Sequence, residues 1–461
     1  MTNDEKTKLY QQIVQNTPDA VVLERMRLHG FWPPGDGLPA DPPAEASERT
    51  KLEKELTDLR LKQSTAGDPQ KLLTEERKRR WEASKARRSA RKQERAQAEA
   101  AARAAWAATK PTTLYHAGVG VSGGLQDTQS NVELLHHRNL PIAHTGADVA
   151  QLMGIPLAKL KWLTYHRNGA TLVHYHRFEI AKKTGGVRCI SAPKAALAAA
   201  QQWVLANVLL HVEVNPVAHG FVRERSIVSN ALPHVQRKLV INVDVENFFP
   251  TITFRRVKGL FHKLGYSQQV ATVLALLCTE PPRLPVDLRG KIYYVALGER
   301  MLPQGACTSP AITNVLCRRL DRRLVGLASK HAFAYTRYAD DLTFSGDNTT
   351  VAGRLLRSVR SILTDEGFRE HPRKTKLMRA ARRQEVTGVT VNVRPTIARA
   401  EVRQLRAILH NAAQHGLASQ NREQRPDFAA YLRGRVAFIR MVDPQRGAQL
   451  ATALARALQK P

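Results

Sequence analysis

The chain has 461 residues, which predicts about three domains. It carries 71 Lys+Arg against 40 Asp+Glu, a formal net charge of +31 and a pI near 10.5. That excess points to a polyanionic partner, most simply nucleic acid, and not to a membrane, because no apolar run reaches the ~18 residues a spanning helix needs.

The N-terminus, Met1-Thr2-Asn3-Asp4-Glu5-Lys6, does not read as a signal peptide, so a cytoplasmic location is expected. The four cysteines, Cys189, Cys278, Cys307 and Cys317, form no CxxC pair. Reduced thiols are expected, without a disulfide frame or zinc site. In residues 1–30, Leu9, Ile13, Val21, Val22, Leu23 and Met26 could line one helix face. Pro33-Pro34-Gly35-Asp36-Gly37 and the prolines from Pro39 to Pro43 then read as a linker. From Glu45 to Ala108 nearly every residue is a helix former, and Arg77-Lys78-Arg79-Arg80 and Lys85-Ala86-Arg87-Arg88 make a dense basic run. Residues 1–110 thus read as a basic, mostly helical N-terminal extension, either solvated or gripping RNA phosphates. Gly118, Gly120, Gly123 and Gly124 mark residues 111–139 as a flexible, Gly-rich linker. Globular alternation starts near Leu140. A helical entry element follows from Ala147, with Asp148 as its expected N-cap.

Tyr175–Ile180 and Cys189–Ser191 read as the strands of a basic hairpin, with Lys182, Lys183, Gly185, Gly186 and Arg188 between them. Next to a metal site such a hairpin could clamp a triphosphate, Arg188 donating a fork. Ala196–Val212 reads as a helix whose Trp203, Leu205 and Leu209 belong to the core. Downstream, Phe333–Arg337 and Leu342–Gly346 are rich in aromatic and β-branched residues, so they read as two strands joined by a tight turn holding Asp340 and Asp341. Two adjacent carboxylates repel unless a cation lies between them. Asp244, ending the apolar run Leu239–Val243, is the candidate third carboxylate. Three aspartates with no His or Cys nearby favour hard oxygen ligation, hence Mg²⁺, in a site that positions phosphates for in-line displacement.

Three stretches in order resemble the palm motifs of reverse transcriptases: Ile241-Asn242-Val243-Asp244-Val245-Glu246-Asn247-Phe248-Phe249-Pro250, Leu302-Pro303-Gln304-Gly305-Ala306-Cys307-Thr308-Ser309-Pro310 and Tyr338-Ala339-Asp340-Asp341. Within that superfamily the chain is most similar to bacterial retron enzymes. They carry Asn-Ala-x-x-His ahead of the first catalytic aspartate, here Asn230-Ala231-Leu232-Pro233-His234, and Val-Thr-Gly after the palm, here Val386-Thr387-Gly388. His219-Gly220-Phe221 and Ser226-Ile227 also fit.

The resemblance implies an α+β right-hand polymerase: fingers and palm over 140–395, with an antiparallel sheet plus helices, and a helical thumb over 396–461. It implies RNA-directed DNA synthesis on a cognate non-coding RNA that is both template and primer, with dNTPs as substrates. By the same analogy, priming from an internal guanosine 2′-hydroxyl leaves branched RNA–DNA (msDNA), in antiphage defence with a separately encoded effector. Asp244, Asp340 and Asp341 would be catalytic and would bind two Mg²⁺ ions (Mn²⁺ being possible) with the Val245 carbonyl. Lys182, Arg188, Phe249, Gln304, Gly305 and Lys374 would face the nucleotide. Phe249 would exclude a ribose 2′-hydroxyl, Phe248 on the opposite strand face would join the core, and Lys374 would neutralise or protonate pyrophosphate. Asn230, Ala231, His234, Val386, Thr387, Gly388, Arg433 and Arg435 would bind RNA, with Gly434 letting the thumb helix approach the duplex. A group II intron-like or diversity-generating enzyme, and a non-catalytic RNA-binding scaffold, are the competing readings.

Overall fold

The computed structural model describes residues 2–15, 18–35, 37, 43–65, 69–109, 112–181 and 185–459. The chain divides into two compact units, Met1–Ala104 and Ala105–Pro461. Among the described residues no helix is long and apolar enough to cross a membrane.

The first unit is helical: Asn3–Gln15, Pro18–Leu28, Pro43–Thr65 and most of Pro69–Thr109. In the short amphipathic pattern Val21 is buried but Val22 is 54% exposed. Much of the expected proline linker lies outside the described residues. The two long helices run antiparallel, with Arg87 reaching Glu48 at 3.4 Å and Arg79 reaching Glu55 at 3.8 Å.

The second unit is mixed α+β. Its centre is a four-stranded antiparallel sheet with the order Ala334–Tyr338, Asp341–Gly346, Leu239–Asp244, Lys376–Arg379. Period-two alternation splits its side chains between two apolar clusters. Ile241, Val243, Leu342 and Phe344 enter the larger one, with the helices Phe254–Leu264, Gln268–Cys278 and Arg318–Lys330. Val240 points the other way, to Val386, Val389 and the C-terminal helices Arg399–His415, Phe428–Val442 and Pro444–Leu458. One central strand therefore belongs to both cores.

Several expectations need correcting. Within the expected 111–139 linker, the described residues 112–139 are not a loose connector: Leu114, Ala117, Val121, Leu125 and Leu135 are all buried in the larger core. Glycines there allow turns without preventing the apolar residues between them from packing. The entry element is two helices, Gly146–Leu152 and Leu157–Thr164. Thr145, not Asp148, is the N-cap; Asp148 sits at the third helical position and accepts from the Thr145 and His144 amides, completing a capping box. The helix expected to reach Val212 stops at Asn207 and continues as a short 3₁₀ turn, Leu209–His211. Leu209 is buried, whereas Trp203 and Leu205 are only half-buried against the core. A further hairpin, Arg283–Leu288 with Lys291–Ala296, turns at Arg289-Gly290 and had no counterpart among the expected strands.

Beneath the Tyr338–Asp341 turn lies a buried ion pair. Arg337 and Asp321 are each 0% exposed. Arg337 Nε and Nη2 donate to the two Asp321 carboxylate oxygens, both at 2.8 Å, and Tyr335 Oη donates to Oδ1 at 3.0 Å. Arg337 Nη1 donates to Asn314 Oδ1 at 2.9 Å and to the Ala339 carbonyl at 3.3 Å. The guanidinium thus joins the Arg318–Lys330 helix, the preceding helix and the turn itself. Removing one member of such a pair strands the other without water. Asp321→Ala is expected to lower unfolding stability by about 3–5 kcal/mol, measured by urea titration; a loss below about 1 kcal/mol would mean the pair does not hold the turn.

Candidate active site

Asp244 ends its strand directly opposite Asp341. Tyr338 pairs with Asp341, so Ala339 and Asp340 form a two-residue hairpin turn. Ala339 has φ 57°, the left-handed conformation such turns require at their first position. Two backbone contacts hold it. The Val245 amide donates to the Asp340 carbonyl at 3.0 Å. On the other side, the Val217–Gly220 segment runs alongside Arg337, which donates to the Val217 carbonyl at 2.8 Å and accepts from the His219 amide at 2.7 Å. Gly220 lies so close that a Cβ there would stand 2.6 Å from the Ala339 nitrogen.

The electrostatics of the three aspartates fit a cation. Burial raises the pKa of Asp340, and Asp244 raises it further, against Lys374 and Arg188. Burial, Asp340 and Asp244 push Asp341 up to about 7, opposed by Lys374 and Lys376. Lys374 Nζ rests on Asp244, 2.9 Å from Oδ1 and 3.2 Å from Oδ2. Among the described residues no three His, Cys, Asp or Glu side chains converge closely enough to grip an ion as they stand. The donor set nevertheless suits a hard divalent cation: three carboxylates at neighbouring strand ends, two of them with raised pKa, and an ammonium on the third.

The remaining nucleotide-facing candidates approach from the basic hairpin and the Pro303–Ala306 loop. The hairpin strands are longer than expected, Tyr175–Ala181 and Val187–Pro193. The Ser191 amide donates to the Gln304 carbonyl at 2.7 Å. At Gly305, φ 115°, a Cβ would meet Ile190 at 2.8 Å, so only glycine fits between hairpin and loop. Arg188 is exposed and acts on Asp340 through its charge. Lys182 lies outside the described residues. Phe248 is buried against Phe368, ring centroids 5.4 Å apart, while Phe249 is half-buried. They divide as expected but for another reason: both lie in a turn after Asp244, not in the strand.

The two motifs of the expected RNA-binding set meet each other, but mostly below the surface. Asn230, Ala231, His234 and Val386 are each 0% exposed. His234 bridges Ser345 and Thr336, both at 2.7 Å. Burial, with the charges of His219 and Arg237, holds it down to about 3, so the ring is neutral. Asn230 Nδ2 donates to Thr387 Oγ1 at 3.4 Å. The Asn-Ala-x-x-His segment therefore staples the polar face of the sheet to the Val-Thr-Gly turn, whose Thr387 (φ 47°) and Gly388 (φ 85°) link the short strands Glu385–Val386 and Val389–Thr390. Of the six candidates in these two motifs, only Thr387 and Gly388 reach the surface. On the Phe428–Val442 helix Arg433 is exposed, whereas Arg435 is paired with Glu401 at 3.1 Å.

Sequence reasoning missed Asp321 and Arg337. A signal existed: Cys317, Asp321, Leu324 and Ala328 share one stripe of the Arg318–Lys330 helix and its cap. A carboxylate in an apolar stripe requires a buried partner.

A family model described as "Reverse transcriptase (RNA-dependent DNA polymerase)" matches residues 180–391. The retron Mx162 reverse transcriptase of Myxococcus xanthus is 41% identical over 387 residues, covering 79% of this chain and 78% of that protein. The retron Mx65 reverse transcriptase of the same organism is 42% identical over 327 residues, 71% and 75% of the two chains. The retron Ec86 reverse transcriptase of Escherichia coli is 29% identical over 333 residues, 72% and 94%. Among solved structures a Candida albicans telomerase aligns over 60% of this chain and 56% of its own at 9% identity, with a TM-score of 0.38, too slight a likeness to carry weight. At 41% identity across most of both chains, this chain belongs to the retron reverse transcriptases, RNA-directed DNA polymerases.

Proposed function

We propose that Asp244, Asp340 and Asp341 are the catalytic carboxylates with which the chain copies a cognate structured RNA into DNA. In this reading synthesis starts from an internal guanosine 2′-hydroxyl of the same RNA and leaves branched RNA–DNA (msDNA). The observation that carries it is the meeting of three mutually repelling, partly buried aspartates at two opposed strand ends. Residues 140–395 act as fingers and palm, 396–461 as thumb and 1–110 as a basic extension. The product serves antiphage defence together with a separately encoded effector.

The chemistry bound Mg²⁺ would supply is a lowered pKa at the primer hydroxyl and neutralisation of the triphosphate. The three aspartates, with the Val245 carbonyl, would hold it. Lys374, resting on Asp244, keeps that carboxylate neutralised before the substrate arrives. Swung to the leaving pyrophosphate, the same ammonium offsets its charge or donates a proton. Arg188 on the hairpin takes the triphosphate oxygens, a role shared with Lys182. Gln304 and Gly305 give the nucleotide a flat backbone surface. Phe249 stands where a ribose 2′-hydroxyl would collide with its ring.

The direct test is to express the chain with its flanking DNA and analyse small nucleic acids after RNase and debranching. A discrete DNA on a 2′-linked RNA stub is expected, absent from the Asp340→Ala/Asp341→Ala variant. Primer extension on RNA without such a branched product would retain the polymerase and remove 2′ priming. Phe249→Ala should admit ribonucleotides, reducing dNTP-over-rNTP discrimination about tenfold or more in kcat/KM; unchanged discrimination would place that role elsewhere. Asp341→Asn should separate stability from activity. The folded chain holds the Asp341 proton to about pH 7, well above an unfolded aspartate. Its ionisation therefore costs stability increasingly from about pH 4 to pH 7 and fully above that. In metal-free buffer at pH 8 the Asn variant should melt roughly 2–5 °C higher while losing DNA synthesis. A lower Tm would contradict the proposed strain among the carboxylates.

A further inference from the structure

The long helix of the first unit carries one feature the catalytic reading does not use. Pro69–Thr109 is a 41-residue helix. Every side chain described on it is exposed except Glu76, which is half-buried. Burial against protein does not account for such a surface. Its charges are ordered, however. At 3.6 residues per turn, Arg77, Lys85, Arg88, Arg91, Lys92 and Arg95 fall within about a third of the circumference. Glu82 and Glu94 fall outside that arc.

The antiparallel neighbour shows which cations are already engaged. Arg79 and Arg87 turn to Glu55 and Glu48 of Pro43–Thr65, and Arg80 pairs with Glu76. Among the described residues, none of the six stripe cations has a carboxylate within ion-pairing distance. Trp81 lies near the middle of the same arc, 63% exposed, with Lys85 Nζ 5.0 Å from its ring centroid. It is the one large apolar residue between Arg77 and Arg95. A helix lying in a lipid interface needs a broad apolar face, and this stripe has a single ring. Regularly spaced cations around an exposed indole match a different chemistry: backbone phosphates along the stripe, with an unpaired base stacked on the ring.

We infer that the Arg77–Arg95 stripe of the first unit is an RNA-docking surface, binding phosphates of structured RNA along about 27 Å of helix and stacking one unpaired base on Trp81. The inference rests on RNA being the substrate. It adds a second contact surface, on a unit with no proposed part in the chemistry, which would keep the RNA bound while the copied end moves.

The test uses the full chain and a fluorescein-labelled RNA stem-loop with an unpaired loop, followed by anisotropy across a KCl series. Neutralising four cations (Arg88→Gln, Arg91→Gln, Lys92→Gln and Arg95→Gln) keeps good helix formers at exposed positions. It should reduce the slope of log K against log salt by about 3 and weaken binding at least about tenfold near 0.1 M salt. Trp81→Ala should weaken binding severalfold with the slope unchanged. Both variants, saturated with an annealed DNA primer on an RNA template, should extend it at the wild-type rate, which also reports that they fold. Unchanged slope and affinity in the quadruple variant would overturn the inference. So would retention of wild-type RNA binding together with loss of binding to phosphatidylglycerol vesicles, which would make the stripe a lipid surface. Failure of the wild type to extend the primer would remove the polymerase reading, leaving the stripe to be judged on the binding data alone.

Discussion

The Arg337–Asp321 pair is the constraint on which the centre of the second unit depends. Both groups are fully buried, so neither ion has water to fall back on. The guanidinium fork satisfies Asp321, and its remaining nitrogen ties Asn314 to the Ala339 carbonyl. Asn314 Nδ2 in turn donates to the Gly220 carbonyl at 2.9 Å, so the segment pressed on the turn is held by the same network. A well-packed apolar substitute could equal the pair in stability. It could not place a donor on the Ala339 carbonyl of the turn.

That rigidity has a purpose in the electrostatics above it. Left free, two adjacent carboxylates and a third across the sheet would separate and hydrate. Held by strand register and by the Val245–Asp340 bond, they stay close: burial and then the charge of Asp244 raise the pKa of Asp340, and burial, Asp340 and Asp244 raise that of Asp341. Lys374 and Lys376 from one segment and Arg188 from another supply compensating charge. The arrangement gives up stability at neutral pH, which the divalent cation of the proposed function would restore on binding.

Much of this was legible in the sequence because it is local. The runs Leu239–Val243, Phe333–Arg337 and Leu342–Gly346 are apolar or β-branched, and strands followed. Asp244, Asp340 and Asp341 were found as a set because like charges at a turn demand explanation. What was not legible is long-range. Nothing near Asn230 or His234 announces that Thr387 bonds the first and Thr336 and Ser345 the second, so the RNA contacts implied by the family resemblance stood unopposed. Their burial shows that a short motif can serve the scaffold. The glycines of 118–124 misled for the converse reason: turn residues say where a chain bends, not whether it is packed. The family resemblance supplied order and roles, but it could not supply the Asp321–Arg337 contact, which exists only once the helix docks on the sheet.

The contact between Gly220 and the turn bears on how this chain can change over generations. Every missense change at a glycine codon adds at least a Cβ, and at position 220 that atom would lie 2.6 Å from the Ala339 backbone. Backbone cannot swing aside as a flexible side chain can, so the whole set of neighbouring codons is closed at once. Gly434, with nothing within 4 Å of its virtual Cβ and a place inside a helix, lies at the other extreme, where alanine would even favour the helix. Two glycines in one chain thus stand under opposite constraints from the protein around them.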